Sequence, residues 1–483
     1  MSFSSASFFL LLFVTLAAYR YAPLYAKKVF LASPAVARNI VILAASAVFY
    51  AFAGVRYLPL LGAAAFASFS SGLALARMEQ PHLRKALLAA ALCLLFGSLC
   101  FFKYGGLFGT ARAMPLGISF YTFALAGYLI DQYRRKYAPE PDFLRFAGFA
   151  CFFPLIASGP IERGDGLLSQ MAEPPQPRYG MFCEGASRML WGFFKKFVVA
   201  DTIGVTVGRV FADIPAFSGP YLLLAALLYS YELYCDFSGY SDIAIGAARL
   251  FGFSVRENFM RPFAARSFGE LWRRWHISLT SWLREYIYFP LGGSRKGTAR
   301  TVCNILMIFF ISGIWHGAGA TFAVWGLLNG ILMIFGRFTA PLKKRWEGKH
   351  PLARCPKVRA AWQIVCVYLQ FSACAVFFRA ASLPDACALY ARLFTGWGAL
   401  LHPSGVVDTL RGINIGRVSG LLILGGAVLI EWVEWRAARQ GVSVGAWTRT
   451  LGKGRRMALY YALVLAVLVF GALGSSSFIY FAF

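Results

Sequence analysis

Long runs of uncharged, apolar residues constrain this chain more than any other feature of its sequence. Several are about 20 residues long, the length that an α-helix needs to cross a hydrocarbon core of about 30 Å. Charged residues make up only 14% of the chain, well below the share of roughly 25% found in soluble domains. The sequence therefore predicts an all-α polytopic membrane protein.

The candidate spans form a regular N-terminal set and a less regular remainder. They are 3–19, 39–55, 57–76, 86–102, 114–130 and 144–160, and then, after a polar loop, 219–237, 302–336, 361–378, 417–435 and 457–475. The run 302–336 is 35 residues long, so we expect two helices that meet near Gly317–Gly319, or one span and a re-entrant piece. We predict one membrane-embedded domain, 1–483, with about 11 transmembrane helices and further re-entrant or interfacial helices.

The chain is strongly basic, with a net charge of +27. It contains no recognisable nucleic-acid-binding module, so we expect no nucleic-acid partner. Membrane proteins concentrate Lys and Arg in cytoplasmic loops. Among the first spans, three alternate loops carry eleven such residues and the intervening loops carry three, which predicts an extracytoplasmic N-terminus. A basic cytoplasmic face would also attract a polyanionic coenzyme or an acidic carrier protein.

The most basic stretch lies between residues 249 and 300 and contains ten Lys and Arg residues but only three glutamates. On a helix from Trp272 to Tyr286, most aromatic and leucine side chains form one stripe, and most polar side chains lie on the opposite side. The pattern predicts an amphipathic helix at the membrane interface, with His276 at the edge of the apolar stripe. Two interpretations of the charge stay open, phosphate binding and ordinary cytoplasmic charge, for Arg273, Arg274, Arg284, Arg295 and Lys296.

A second histidine, His316, lies in the uncharged run Phe309–Gly330. Most buried histidines are packing residues with one satisfied hydrogen bond, so this run alone leaves packing and chemistry equally open. The ten cysteines include no Cys-x-x-Cys pair, and we predict no metal site.

Acidic residues also occur within apolar chain, at Glu232, Asp236 and Asp242. A carboxylate near the bilayer centre costs about 2.5–3.5 kcal/mol on insertion scales, so it needs a partner or a function. We favour buried ion pairs with an arginine such as Arg249 or Arg261. A further acid, Glu162, follows a Gly-Pro pair together with Arg163, and this loop either lines a cavity or begins a solvated segment.

Several blocks of the sequence together resemble the membrane-bound O-acyltransferase superfamily, and its bacterial alginate O-acetylation branch most closely. The Trp-Arg-Arg-Trp-His and Trp-His-Gly blocks, whose histidines are 40 residues apart, are the most specific. The resemblance covers a core of about residues 100–380 and is weaker towards the ends. The matching blocks are PLGISFYTFALAGYLIDQYR (115–134), FFPLIASGPIERGDGLLSQM (152–171), GFFKKFVVADTI (192–203), YCDFSGYSDIAIG (234–246), NFMRPFAARSFGELWRRWHISLTSWLREYIYFPLGGSRKG (258–297), GIWHGAGATFAVWGLLNG (313–330), VFFRA (376–380) and FIYFAF (478–483).

The resemblance implies a ring of tilted helices around a central funnel that leads from each face to a buried histidine. It implies that His316 is the catalytic histidine and His276 the second family histidine. A neutral, buried imidazole suits the deprotonation of an alcohol. The candidate donor or substrate contacts are Trp315, Arg273, Arg274, Trp275, Asp236, Ser238, Arg284 and Arg295.

The implied reaction is transfer of an acyl group, with acetyl favoured, from a cytoplasmic thioester to an extracytoplasmic hydroxyl. The donor substrate would be acetyl-CoA or an acyl-carrier thioester, and no bound cofactor is expected. An alginate-type exopolysaccharide is the favoured acceptor. O-acetylation of peptidoglycan or cellulose and D-alanylation of teichoic acid are alternatives. The C-terminal part is shorter than we expect of the alginate branch. This difference concerns the identity of the acceptor polymer more than the type of reaction.

The resemblance also implies a location in the bacterial cytoplasmic (inner) membrane and a separate extracytoplasmic partner. This partner would be a secreted or membrane-anchored protein related to acetyltransferases or esterases. Two other classes of function stay open: a transporter, because broken helices and intramembrane histidines and acids suit one, and a scaffolding subunit.

Overall fold

The computed structural model describes residues 3, 5–29, 33–110, 113–347, 355–472 and 478–479. Within these ranges the regular elements are all helices and no β-strand occurs. Seven helical stretches of the described chain are long and apolar enough to cross a membrane. The prediction of an all-α polytopic membrane protein is confirmed, whereas the count of about 11 spans and the central funnel stay predictions. The last four residues of the FIYFAF block, 480–483, lie outside the described residues.

The first half of the chain follows the predicted spans closely, although the last of these divides into two short helices. The polar loop that follows contains a further helix. The bounds are α1 Ala6–Val29, α2 Pro34–Gly54, α3 Leu58–Arg77, α4 Pro81–Tyr104, α5 Ile118–Tyr133, α6 Phe143–Cys151, α7 Phe153–Ile156, α8 Gly164–Ala172, α9 Tyr179–Phe193, α10 Asp201–Ala212 and α11 Gly219–Leu250.

The second half contains both candidate histidines. Its helices are α12 Phe268–Arg274, α13 Ile277–Leu283, α14 Thr298–His316, α15 Ala320–Glu347, α16 Pro356–Arg379, α17 Leu383–Arg392, α18 Pro403–Gly412, α19 Arg417–Arg439, α20 Val444–Thr450 and α21 Lys453–Phe470. Two wider π-helical stretches, Phe194–Ala200 and Arg284–Tyr288, follow α9 and α13.

The chain divides into two compact units. The first comprises 1–191, 240–257 and 444–457, and the second comprises 192–239, 258–443 and 458–483. In the first unit α1 packs on α2, and α5 packs on both α3 and α4. In the second unit α15 packs on α14, α12 and α16. The second unit therefore holds both histidine-bearing segments, and the single domain 1–483 stays a prediction.

The long apolar run divides into two helices at the predicted place, since α14 ends at His316 and α15 begins at Ala320. The two helices cross closely at Gly313 and Gly326. A Cβ atom at Gly313 would lie 2.3 Å from the carbonyl oxygen of Phe322, and one at Gly326 would lie 2.3 Å from that of Phe309. Only glycine allows this backbone approach. The crossing fixes the end of α14, and with it the position of His316.

We expect Gly326→Ala to destabilise the protein by about 1–3 kcal/mol, because the new methyl group must push α14 and α15 apart. The matched control is Gly336→Ala in the same helix, where a Cβ atom would meet no heavy atom within 4 Å. Thermal unfolding of both variants in detergent measures the difference. Equal midpoints for the two variants would show that the crossing tolerates a side chain.

The predicted continuous helix from Trp272 to Tyr286 is wrong. Helix α12 ends at Arg274, and His276 then adopts a left-handed backbone conformation with φ 42° and ψ 53° before α13 begins. The break follows from long-range hydrogen bonds, because Met260 N–H donates to Arg274 O and Ile277 N–H donates to Asn258 O. The helical period nevertheless identified the buried side chains correctly: Trp272, Trp275, Leu279, Trp282, Leu283 and Tyr286 are all buried. Ser278, which was expected on the polar side, is buried as well.

Candidate active site

The two histidines lie close together in the second unit. His316 is in the last turn of α14, and His276 is the left-handed residue between α12 and α13. Their ring centroids are 6.4 Å apart, with an angle of 55° between the planes. Only 1% of His276 and 4% of His316 is exposed. Two imidazoles that are distant in sequence thus converge in a site shielded from solvent.

Aromatic rings from three helices surround His316. The ring centroid of Trp315 lies 4.8 Å from that of His316, and those of Trp325 and Phe378 lie at 5.1 and 5.2 Å. Trp325 comes from α15 and Phe378 from α16. Neither residue was selected from the sequence, although both lie within the blocks 313–330 and 376–380. The packing restricts the rotation of the imidazole and keeps its surroundings apolar.

His276 has an environment that is apolar on one side and polar on the other. The ring of Phe237 meets it edge-on with centroids 4.7 Å apart, while its Nδ1 lies 3.1 Å from Oδ1 of Asn258. Burial lowers the pKa of His276 to about 3, because a low-dielectric environment disfavours the charged imidazolium. The imidazole is therefore neutral at physiological pH, the form required of a base or a hydrogen-bond acceptor.

Asp236 is buried next to this site, and it forms the ion pair that the sequence led us to expect. Its partner, however, is a lysine: Lys196 Nζ lies 2.5 Å from Asp236 and 2.8 Å from Asp201. The second carboxylate oxygen of Asp236 accepts a hydrogen bond of 3.0 Å from the backbone N–H of Ile479. Asp236 thus links α11 to Lys196 and to the backbone of Ile479. Its neighbour Ser238 is buried too.

The proposed arginine partners of the acidic residues were wrong. Arg249 binds Glu184, and Arg261 binds Glu431. Asp242 pairs instead with Arg188, whose guanidinium also binds Glu257. Asp236 and Asp242 were correctly expected to be paired, but their partners are far away in sequence and no local pattern identifies them.

The candidate basic residues are not equivalent. Arg274 is half-buried and bonded to Glu270 at 2.5 Å, one helical turn away. Trp275 is buried between Phe259 and Phe371, with centroids 5.1 and 4.8 Å apart, so its role here is packing. Exposed side chains that remain suited to attract an anion are those of Arg273, Arg284, Arg295 and Lys296.

Glu162 and Arg163, in the first unit, are both buried. Oε1 of Glu162 accepts a hydrogen bond of 2.6 Å from the backbone N–H of Arg256. A small, partly open cavity is lined by Glu162 together with apolar and aromatic side chains. This loop therefore lines a cavity, and the alternative of a solvated segment is wrong. Among the described residues, no group of three or more His, Cys, Asp or Glu side chains could hold a metal ion.

The fold and the buried histidine pair define a polytopic membrane protein with a candidate acid–base site. The membrane-bound O-acyltransferase family model matches residues 85–378. The chain is 32% identical to a probable alginate O-acetylase of Pseudomonas putida, over 92% of this chain and 94% of the relative. It is 34% identical to one of Azotobacter vinelandii over 75% and 74%, and 32% identical to a peptidoglycan O-acetyltransferase of Helicobacter pylori over 71% of each.

The chain therefore belongs to the membrane-bound O-acyltransferase family. It is a multi-pass membrane enzyme that transfers an acyl group, and it takes this group from an acyl donor rather than from a bound cofactor. The resemblance inferred from the sequence blocks is confirmed.

Proposed function

We propose that this protein transfers an acetyl group from a cytoplasmic thioester to a hydroxyl group on the extracytoplasmic side of the membrane, for the O-acetylation of an alginate-type polysaccharide. The single observation that carries this proposal is the convergence of His276 and His316, 6.4 Å apart, in a shielded site of a chain from this family. The similarity to alginate O-acetylases over most of the chain supports an alginate-type polysaccharide as the polymer that is acetylated. Peptidoglycan is the second candidate acceptor, because one relative is a peptidoglycan O-acetyltransferase.

In this reaction His316 acts as the general base. Its imidazole removes the proton of the acceptor hydroxyl, and the oxygen attacks the thioester carbonyl carbon. The C–S bond then breaks, and the thiolate takes up the proton held by the imidazole, so that an ester and a free thiol result. General-base catalysis of this kind contributes about 10²–10⁴-fold to a rate. The aromatic packing around His316 shields the base from bulk water.

The proposed enzyme lies in the bacterial cytoplasmic membrane with its N-terminus outside. The positive charge of the stretch 249–300 favours the cytoplasmic side, where the donor, acetyl-CoA or an acyl-carrier thioester, is available. A separate extracytoplasmic protein, secreted or membrane-anchored and related to acetyltransferases or esterases, completes the transfer to polymer.

The acceptor is tested by deleting the gene and measuring acetyl esters on each isolated polymer. Complementation with the wild-type chain should restore acetyl esters on the exopolysaccharide, whereas His316→Ala should not. If the deletion removed acetyl esters from peptidoglycan alone, peptidoglycan and not an exopolysaccharide would be the acceptor. Unchanged acetylation of all polymers would contradict the proposed function.

Reversing the charge of Arg295, one of the exposed side chains suited to attract an anion, should weaken donor binding without changing the rate of the chemical step. We expect Arg295→Glu to raise the KM for acetyl-CoA roughly two- to fivefold at low salt, the effect of about 0.5–1 kcal/mol from an exposed charge. The difference should shrink as ionic strength rises. The matched control is Arg56→Glu, which changes another exposed arginine, in a loop predicted to be extracytoplasmic. Equal KM values for both variants would remove Arg295 from the donor site.

A further inference from the structure

The side chain of Asn258 is fully buried beside His276, and it organises the break between α12 and α13. Its Oδ1 lies 2.9 Å from Ser278 Oγ, 3.3 Å from Ser278 N and 3.1 Å from His276 Nδ1. Its backbone carbonyl accepts the N–H of Ile277 at 2.9 Å. One residue thus contacts three consecutive positions that begin at the candidate catalytic histidine.

The hydrogen-bond roles in this cluster follow from one donor whose direction is fixed. A backbone N–H can only donate, so the Asn258 atom that faces Ser278 N must be the amide oxygen and not the NH₂ group. The same oxygen faces His276 Nδ1, and an oxygen of this kind can only accept. Nδ1 must therefore carry the hydrogen. In a neutral imidazole the remaining nitrogen, Nε2, then holds the lone pair.

We propose that Asn258 is a positioning residue that fixes His276 in the tautomer with hydrogen on Nδ1 and a lone pair on Nε2. Asn258 acts through His276 and does not itself touch the substrates. This inference rests on the proposed function, because it assigns His276 the task of accepting a hydrogen bond from a substrate through Nε2. The two histidines then have different environments. The tautomer of His276 is set by the amide of Asn258, whereas His316 is held among aromatic rings.

The backbone geometry supports the same role. A left-handed conformation in a residue with a side chain costs of order 1–3 kcal/mol and persists only where the surroundings enforce it. At His276 the enforcing contacts are made by residues 258–260: Asn258 O accepts from Ile277 N–H, and Met260 N–H donates to Arg274 O at 3.0 Å. The segment that orients the imidazole ring is therefore also the segment that interrupts the helix.

The tautomer can be observed directly, without an activity assay. The chain contains five histidines, so full-length protein with ¹⁵N-labelled imidazoles in liposomes gives few signals, and the spectrum of His276→Ala identifies those of His276. We expect the Nδ1 signal to be of the protonated type and the Nε2 signal of the unprotonated type. The reverse assignment in the wild-type protein would overturn the proposal.

Two substitutions of Asn258 separate positioning from folding. Asn258→Leu removes the acceptor, so we expect a mixture of tautomers and a kcat at least ~10-fold lower, with the KM for the donor within about twofold. Asn258→Asp keeps an acceptor oxygen, so it should retain the Nδ1–H tautomer and a kcat at least ~10-fold above that of the leucine variant. Equal kcat values for the two variants would show that the acceptor has no positioning role.

The matched control is Asn304→Leu, because Asn304 is another buried asparagine of the same unit. Its Nδ2 donates to the backbone carbonyl of Gly293 at 3.0 Å. This variant should lose stability but keep the kcat and the tautomer. If Asn258→Leu does not fold, the aspartate variant and the wild-type spectrum still decide the question. Failure of the proposed function is recognised separately, because wild-type protein would then transfer no acetyl group from a thioester.

Discussion

His316→Ala is expected to lower the kcat for acyl transfer by about 10²–10⁴-fold while the protein still folds. The acceptor hydroxyl would have to attack without a base to take its proton. The effect should lie in kcat, because His316 is buried among Trp315, Trp325 and Phe378 and is not one of the exposed basic residues suited to attract the donor. Steady-state kinetics of the purified protein in proteoliposomes, with labelled acetyl-CoA, measures the loss.

A phenylalanine at position 316 distinguishes chemistry from packing. His316→Phe keeps a flat aromatic ring among its aromatic neighbours but removes both ring nitrogens. We expect it to be as inactive as the alanine variant, and more stable because it leaves a smaller cavity. His402→Ala, at an exposed histidine of the same unit, is the control and should behave as the wild type. Substantial activity of His316→Phe would show that the imidazole serves only to pack the core.

The second large effect concerns stability: Lys196→Met should destabilise the protein by about 3–5 kcal/mol. The π-helical stretch Phe194–Ala200 directs Lys196 inward, where its ammonium bridges Asp201 and Asp236 at 2.8 and 2.5 Å. Without the cation, two carboxylates are left in a desolvated site.

A double variant provides the control for this buried pair. Lys196→Met combined with Asp236→Asn removes one cation and one anion together, so it should recover part of the lost stability. Lys357→Met changes an exposed lysine of α16 and should change the free energy of unfolding by less than about 0.5 kcal/mol. Thermal unfolding in detergent compares all three. A single variant no less stable than the double variant would contradict the assigned ion pair.

Much of the fold could be predicted from local sequence, because apolar runs and their interruptions are local properties. The division of 302–336 followed from the small residues Gly317–Gly319, which cannot sustain a helix well. The side chains of the stripe Trp272–Tyr286 were correctly expected to be buried, since helical periodicity survives on both sides of the break.

What escaped prediction depends on contacts between distant residues. The left-handed turn at His276 is imposed by Asn258, 18 positions earlier in the chain, so no helical pattern around His276 could indicate it. Lys196 was visible only as an interruption of an apolar run, and its partner Asp236 lies 40 residues further on. Trp325 and Phe378 resemble ordinary core residues in sequence, and only the fold shows that they surround His316.

The most direct test of the account is the sidedness of thioester consumption in membrane vesicles. Labelled acetyl-CoA, which does not cross membranes, is offered to inside-out and to right-side-out vesicles from cells that produce either the wild-type protein or His316→Ala. Acetyl-CoA is predicted to be consumed only by inside-out vesicles with the wild-type protein. Consumption from both faces, or consumption that persists in His316→Ala, would contradict a cytoplasmic donor site that operates through His316.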